Sequence, residues 1–197
     1  MAEKGAAWRA PLLAILRDRA VRWGSFVLAS GRTSDLYVDV KSIFLDPDGL
    51  DLIAAAMIET AREAGLDFGA VGGMSLGADP LVSAFVLRSF DRGRPVPGFL
   101  ARKEAKGHGT SRLLEGAAGL PPDTPVLILE DVVTSGGSSL RTAEIARGGG
   151  LRPVGVLTLI DREEGGREAI ESAGLSFVPV LGRRDLMPEN GAIAEPG

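Results

Sequence analysis

Cysteine is absent from this chain, and histidine occurs once, at His108. Without thiols there is no disulfide framework, no thiolate nucleophile and no Cys-based zinc or iron–sulfur centre. A single histidine also excludes HExxH and most other His-clustered metal sites. Lysine is nearly as scarce: Lys4, Lys41, Lys103 and Lys106 stand against 18 arginines. The net charge of −4 gives no general attraction to nucleic acid. The longest apolar runs, such as Leu52–Ile58, fall far short of the roughly 20 residues that span a bilayer. No Gly-Lys dipeptide occurs and no GxGxxG follows a strand, so P-loop and Rossmann nucleotide sites are excluded. Lys4 and Arg9 before Ala10–Leu16 imitate a signal peptide weakly. Arg17-Asp18-Arg19 follow at once, with no small-residue cleavage pattern. The segment reads as an amphipathic helix, and the expected location is the cytoplasm.

What is present is an ordinary globular composition, 45% hydrophobic and 24% charged over 197 residues. That length fits one domain, 1–197, able to bury its own core. Residues 6–20 read as a helix ended by Trp23 and Gly24. Phe26–Leu28 and Leu36–Lys41 read as two strands about a turn, and a further helix is expected from Asp46 to about Arg62. Beyond it, apolar runs at Phe68–Met74, Pro97–Arg102, Pro125–Asp131, Val154–Ile160 and Ser176–Val180 alternate in part with helical stretches at 78–90, 138–147 and 165–173. That alternation predicts an α/β fold, a mostly parallel central sheet flanked by helices. The stretch 103–124 has no obvious element. Its start, about 103–115, has the composition of a lid or binding loop, with Gly107 and Gly109 in it and Gly116 just beyond.

The chemistry concentrates in Glu130-Asp131-Val132-Val133-Thr134-Ser135-Gly136-Gly137-Ser138, directly after Val126–Leu129. A buried strand delivers two acids at its carboxyl end, where open α/β sheets bind ligands. A Gly-rich turn then feeds a helix N-terminus, whose amides and dipole suit a phosphate. The acids would repel that phosphate and suit sugar hydroxyls or a magnesium ion. A second motif, Gly73-Met74-Ser75-Leu76-Gly77, fits the GxSxG of a serine hydrolase. Its histidine could only be His108, with Asp79 or Asp91 as the acid, and His108 sits in a cationic stretch better matched to phosphate.

Glu130–Ser138 resembles the phosphoribosyl-pyrophosphate signature of the type I phosphoribosyltransferases. Arg102-Lys103-Glu104-Ala105-Lys106-Gly107-His108 resembles the mobile catalytic loop of the orotate phosphoribosyltransferases. Phe26–Asp39 resembles their N-terminal signature, and Asp161–Gly166 the segment where an arginine meets orotate. The likeness spans about residues 20–180. It implies the type I phosphoribosyltransferase fold, with residues 1–45 supplying a helix and a small hood over the base site. It implies conversion of orotate and phosphoribosyl pyrophosphate to orotidine monophosphate and pyrophosphate, with Mg2+ bound mainly through substrate rather than by dedicated protein ligands. It implies a homodimer with shared active sites.

By the same resemblance Thr134, Ser135, Gly136, Gly137 and Ser138 hold the 5′-phosphate. Glu130 and Asp131 hold the ribose, with Val132 and Val133 in the same binding segment. Arg102, Lys103 and Lys106 neutralise pyrophosphate, His108 donates a proton or hydrogen bond to it, and Arg162 pairs with the orotate carboxylate, with Thr134 beside the base. Lys103, Lys106, His108 and Asp131 form the catalytic set. The sequence departs from the family at Ala29 and Leu76, where lysine is common. Two alternatives keep the phosphate site: a purine phosphoribosyltransferase, and a non-catalytic regulator on the same fold. The regulator should show a basic face or an added DNA-binding domain, which the charge and length argue against.

Overall fold

The computed structural model describes residues 7–27, 33–104 and 113–188. In chain order they form α1 (Arg9–Arg19), β1 (Val21–Val27), β2 (Thr33–Val38), α2 (Lys41–Phe44), α3 (Pro47–Glu63), β3 (Ala70–Met74), α4 (Asp79–Asp91), β4 (Gly98–Ala101), β5 (Leu114–Glu115), β6 (Pro125–Val133), α5 (Gly137–Gly148), β7 (Arg152–Asp161), α6 (Gly166–Ser172) and β8 (Ser176–Gly182). Short 3-10 turns lie at Ala117–Gly119 and Arg183–Leu186.

Six strands form one sheet in the order β5-β4-β3-β6-β7-β8, parallel throughout except for β5. From β3 the chain first adds β4 on one side and then returns to add β6 on the other. The strand order therefore reverses between β3 and β6, and a crevice opens at their carboxyl ends. Helices cover both faces. Leu127, Leu129, Leu157 and Leu159 pack with α1, α3 and α4 on one side. Ile128 and Val156, the alternate positions on the same strands, pack with α5 and α6 on the other. All four interior residues of Val126–Leu129 are fully buried, because the strand has protein on both faces.

The α3 boundary follows from capping. Asp46 accepts the Gly49 amide through its side chain at 2.9 Å, and Pro47 opens the helix.

Four expectations shift. Trp23 and Gly24 do not end α1; they lie inside β1, which pairs antiparallel with β2 as a separate two-stranded sheet. The β2 alternation stops at Val38, because Val40 turns helical and α2 follows, burying Ile43 and Phe44. Leu114–Glu115 are not loop but an antiparallel strand on β4, registered Leu100↔Glu115 and Ala101↔Leu114. Strand β6 continues past the two acids to Val133.

The hood sheet is tied to the far end of the chain. Arg183 stacks 5.1 Å over the Trp23 ring and pairs with Asp35, and the Trp23 indole donates to the Leu186 carbonyl at 3.4 Å. Phe26 and Tyr37 face each other across the pair at 5.6 Å.

Candidate functional site

Glu130 and Asp131 stand side by side at the carboxyl end of β6, close enough that each carboxyl shifts the other. Glu130 turns inward. Its carboxylate Oε2 accepts the Ser139 hydroxyl at 2.9 Å, in the first turn of α5, and both residues are nearly fully buried. Burial pushes its carboxyl up to about 7, and the neighbouring Asp131 charge adds to the rise, against the lowering by the Ser139 and Ser138 hydroxyls. Asp131 is the less deeply buried of the two, at the crevice. A Cβ placed on Gly77, after β3, would lie 3.9 Å from its Oδ2. Its carboxyl is also raised by burial, offset by its bond from the Val132 amide and by the Lys41 charge. The Val132 amide donates to Asp131 Oδ1 at 2.8 Å, which fixes the rotamer. Lys41, at the start of α2, pairs with Asp39 at 3.4 Å. The hood thus places one of the chain's four lysines within electrostatic reach of Asp131.

Glu130 gives a pH-dependent stability. Between its ordinary value of 4.5 and about 7 the folded state keeps the proton that the unfolded chain has released. Folding then takes up a proton, and stability falls as pH rises through that window and levels off above it. Glu130→Gln removes this component. We expect the loss of urea resistance between about pH 5 and about pH 8 to be shallower in the variant. Identical pH slopes in the two proteins would refute the assignment.

The turn after β6 is built by close approach. Gly136 sits at φ 79 as the residue preceding α5, without a side-chain cap on the helix. The first turn of α5 carries no acidic residue. Its leading amides have no acceptor within the helix and aim at the turn. Ser135, Gly137 and Ser138 are exposed there, and Thr134 is half-buried. Val132 and Val133 send their side chains into the core, so only their main chain can face a ligand. The start of α6 closes against the same turn: a Cβ at Gly166 would meet Val133 Cγ1 at 2.3 Å and the Thr134 carbonyl at 2.5 Å. The arrangement is an anion cradle with one carboxylate, Asp131, at its mouth.

Arg162 follows β7 and is 6% exposed. Its amide donates to the Val133 carbonyl at 3.0 Å, which sets it beside the turn. Its Nη2 donates to the Ser34 hydroxyl of β2 at 2.6 Å and pairs with Glu164 Oε1 at 2.6 Å. Its Nε is buried without a partner. Arg102 lies on the other flank, after β4: its amide donates to the Leu113 carbonyl at 2.8 Å and its guanidinium pairs with Glu115 at 3.0 Å. Lys103 beside it is exposed. Lys106, His108 and Ala29 lie outside the described residues. Leu76 is exposed at the crevice, with no charge to offer.

Ser75 of the GxSxG motif donates to Asp79 Oδ2 at 3.0 Å, a local bond across one helical turn. A nucleophilic serine needs a base, and its partner here is a carboxylate on the helix it precedes.

Ser34, Glu164, Ser139 and Lys41 were not singled out for these contacts by sequence reasoning. Ser34 meets Arg162 across 128 residues, and no local pattern signals that.

Among the described residues no helix is long and apolar enough to cross a membrane, and no group of three or more His, Asp or Glu could hold a metal ion.

No family model matches the chain. Among curated proteins it is 48% identical over 190 residues to an orotate phosphoribosyltransferase of Sorangium cellulosum, covering 96% of this chain and 98% of that one. Among solved structures it is similar to the orotate phosphoribosyltransferase of Mycobacterium tuberculosis in complex with Fe(III) dicitrate, at TM-score 0.77 and 40% identity, covering 91% of this chain and 98% of that one. The same enzyme in complex with 5-phospho-alpha-D-ribosyl 1-diphosphate superposes at TM-score 0.74 and 36% identity, with the same coverage.

Proposed function

The chain belongs to the orotate phosphoribosyltransferase family, and from that premise we propose how its own residues divide the work. The protein is a pentosyltransferase that converts orotate and 5-phosphoribosyl 1-diphosphate to orotidine 5′-monophosphate and diphosphate, a step of pyrimidine biosynthesis. The observation that carries the reading is the cradle at the switch point: an acid, a Gly-rich turn and an open helix start in one crevice, with a buried arginine beside it.

In this assignment the 134–138 turn receives the 5′-phosphate through its amides and hydroxyls. Asp131 meets the ribose hydroxyls and lies near the positive charge that develops on the sugar. Glu130 stands beside it at the ribose and also holds Ser139 and the start of α5 in place. The C–O bond at C1′ breaks as the C–N bond forms, with no protein nucleophile. The residues contribute by positioning and by opposing charge where it grows. Arg102, Lys103, Lys106 and His108 meet the departing diphosphate. Arg162 meets the orotate carboxylate, a pairing that the planar guanidinium suits.

A magnesium ion fits this donor set as a passenger of the diphosphate. Asp131 is the open carboxylate of the pair, and Mg2+ is commonly held by one or two carboxylates plus substrate phosphates. When bound, it neutralises charge on the leaving group. We also assign the protein to the cytoplasm, read 1–197 as one catalytic unit, and place the 103–115 segment at the active site of a second copy in a homodimer.

The test is a base panel. Purified protein is mixed with phosphoribosyl pyrophosphate and magnesium, and pyrophosphate release is followed with orotate, uracil, adenine, hypoxanthine or xanthine. Release with orotate alone is expected. Release with a purine instead would keep the phosphate site and overturn the orotate assignment.

A further inference from the structure

We propose that Ser34, in the hood, is a positioning residue that fixes the Arg162 guanidinium for the base, so that the hood sets orotate affinity without touching the diphosphate end. The inference rests on the reading that Arg162 receives the substrate carboxylate.

A serine hydroxyl has one donor and two acceptor sites. Ser34 uses all three: it donates to the Leu36 carbonyl at 2.9 Å, and accepts the Leu36 amide at 3.2 Å and Arg162 Nη2 at 2.6 Å. Two of these bonds lock the hydroxyl to its own strand, so the third is aimed rather than free to rotate. Ser34 is 8% exposed, and β2 is itself tied down by the Asp35–Arg183 pair. The other partner of Arg162 is of a different kind. Glu164 sits on the loop between β7 and α6, its side chain is 23% exposed, and the residue before it has φ 56. One side of the clamp is buried and saturated; the other is a partly solvated carboxylate.

Arg162 has little else to hold it. Its Nε is buried and unpartnered, a state that costs free energy until an acceptor arrives. Without the Ser34 hydroxyl, Nη2 keeps only Glu164, and the guanidinium follows that carboxylate outward. The base site then presents its cation in the wrong place, while the 130–138 cradle, on a different strand, is unaltered.

The experiment compares wild type, Ser34→Ala, Ser34→Thr, Arg162→Ala and the Ser34→Ala/Arg162→Ala double variant, with KM measured separately for orotate and for phosphoribosyl pyrophosphate. Ser34→Ala is expected to raise the orotate KM roughly tenfold, the scale of a hydrogen bond to a charged group. The phosphoribosyl pyrophosphate KM should stay within about twofold, since no phosphate contact is lost. Ser34→Thr retains the hydroxyl and suits a strand, so it should restore orotate affinity. In the Arg162→Ala background the serine substitution should add nothing further. An unchanged orotate KM in Ser34→Ala, or an equal rise in both KM values, would overturn the proposal. Should Arg162→Ala itself leave orotate KM at the wild-type value, the base-site reading beneath it falls, and the proposal with it. Matching thermal midpoints for wild type and Ser34→Thr guard against a folding artefact.

Discussion

Replacing Lys103 by alanine is expected to lower kcat by about two orders of magnitude, the usual cost of removing one preorganised charge from a developing anion. The KM for orotate should stay within about twofold of wild type, because an interaction made only in the transition state appears in turnover and not in ground-state binding. Lys103 is exposed and directly follows the anchored Arg102, so its ammonium is free to meet a polyanion. Its replacement leaves no buried partner unpaired, and the fold should tolerate it. Steady-state kinetics with orotate and phosphoribosyl pyrophosphate decide the point. A loss confined to orotate KM, with kcat intact, would move Lys103 from the leaving group to the base.

A methyl group at Gly166 is expected to lower stability strongly. It would stand 2.3 Å from Val133 Cγ1, 2.5 Å from the Thr134 carbonyl and 3.3 Å from the Gly136 amide. Two of those three neighbours are main chain of the phosphate turn, which cannot rotate aside. Overpacking of this kind costs about 3 kcal/mol when the backbone must move. For a chain of this size that corresponds to a drop in thermal midpoint of roughly 6–12 °C. Gly148→Ala is the control: nothing lies within 4 Å of its added Cβ, and it sits in α5, where alanine is the better residue. Equal midpoints for Gly166→Ala and wild type would show that α6 does not brace the turn. Weakened phosphoribosyl pyrophosphate binding should accompany the loss, since the same contact shapes the cradle.

The parts of the site that are contiguous in sequence were legible there. Glu130–Ser138 carries its strand, acids, turn and helix start in nine residues, and each has a local signature. The parallel sheet was legible for a similar reason, since Val126–Leu129 is apolar without alternation, as a strand covered on both faces is, and helical stretches alternate with such runs. What failed was local context overridden by packing. Trp23 and Gly24 resemble a helix stop, yet pairing with Leu36 draws Trp23 into a strand. Val40 and Lys41 complete an alternating pattern, yet Val40 turns helical and Lys41 opens α2, which buries Ile43 and Phe44. Leu114–Glu115 has no strand signal of its own; the edge of β4 supplies one. The support of Arg162 by Ser34 was illegible in principle, because it depends on a hood strand folding back over the end of β7.

The β4–β5 bridge has one more implication. The chain departs from the sheet at Ala101 and returns to it at Leu114, its register partner. A segment whose two ends are fastened side by side can change length without disturbing anything beneath it. Closing a loop twice as long costs only about 0.6 kcal/mol more. Selection can therefore lengthen, shorten or re-letter the cationic stretch between those anchors almost independently of the scaffold, tuning leaving-group chemistry while the rest of the enzyme stands still.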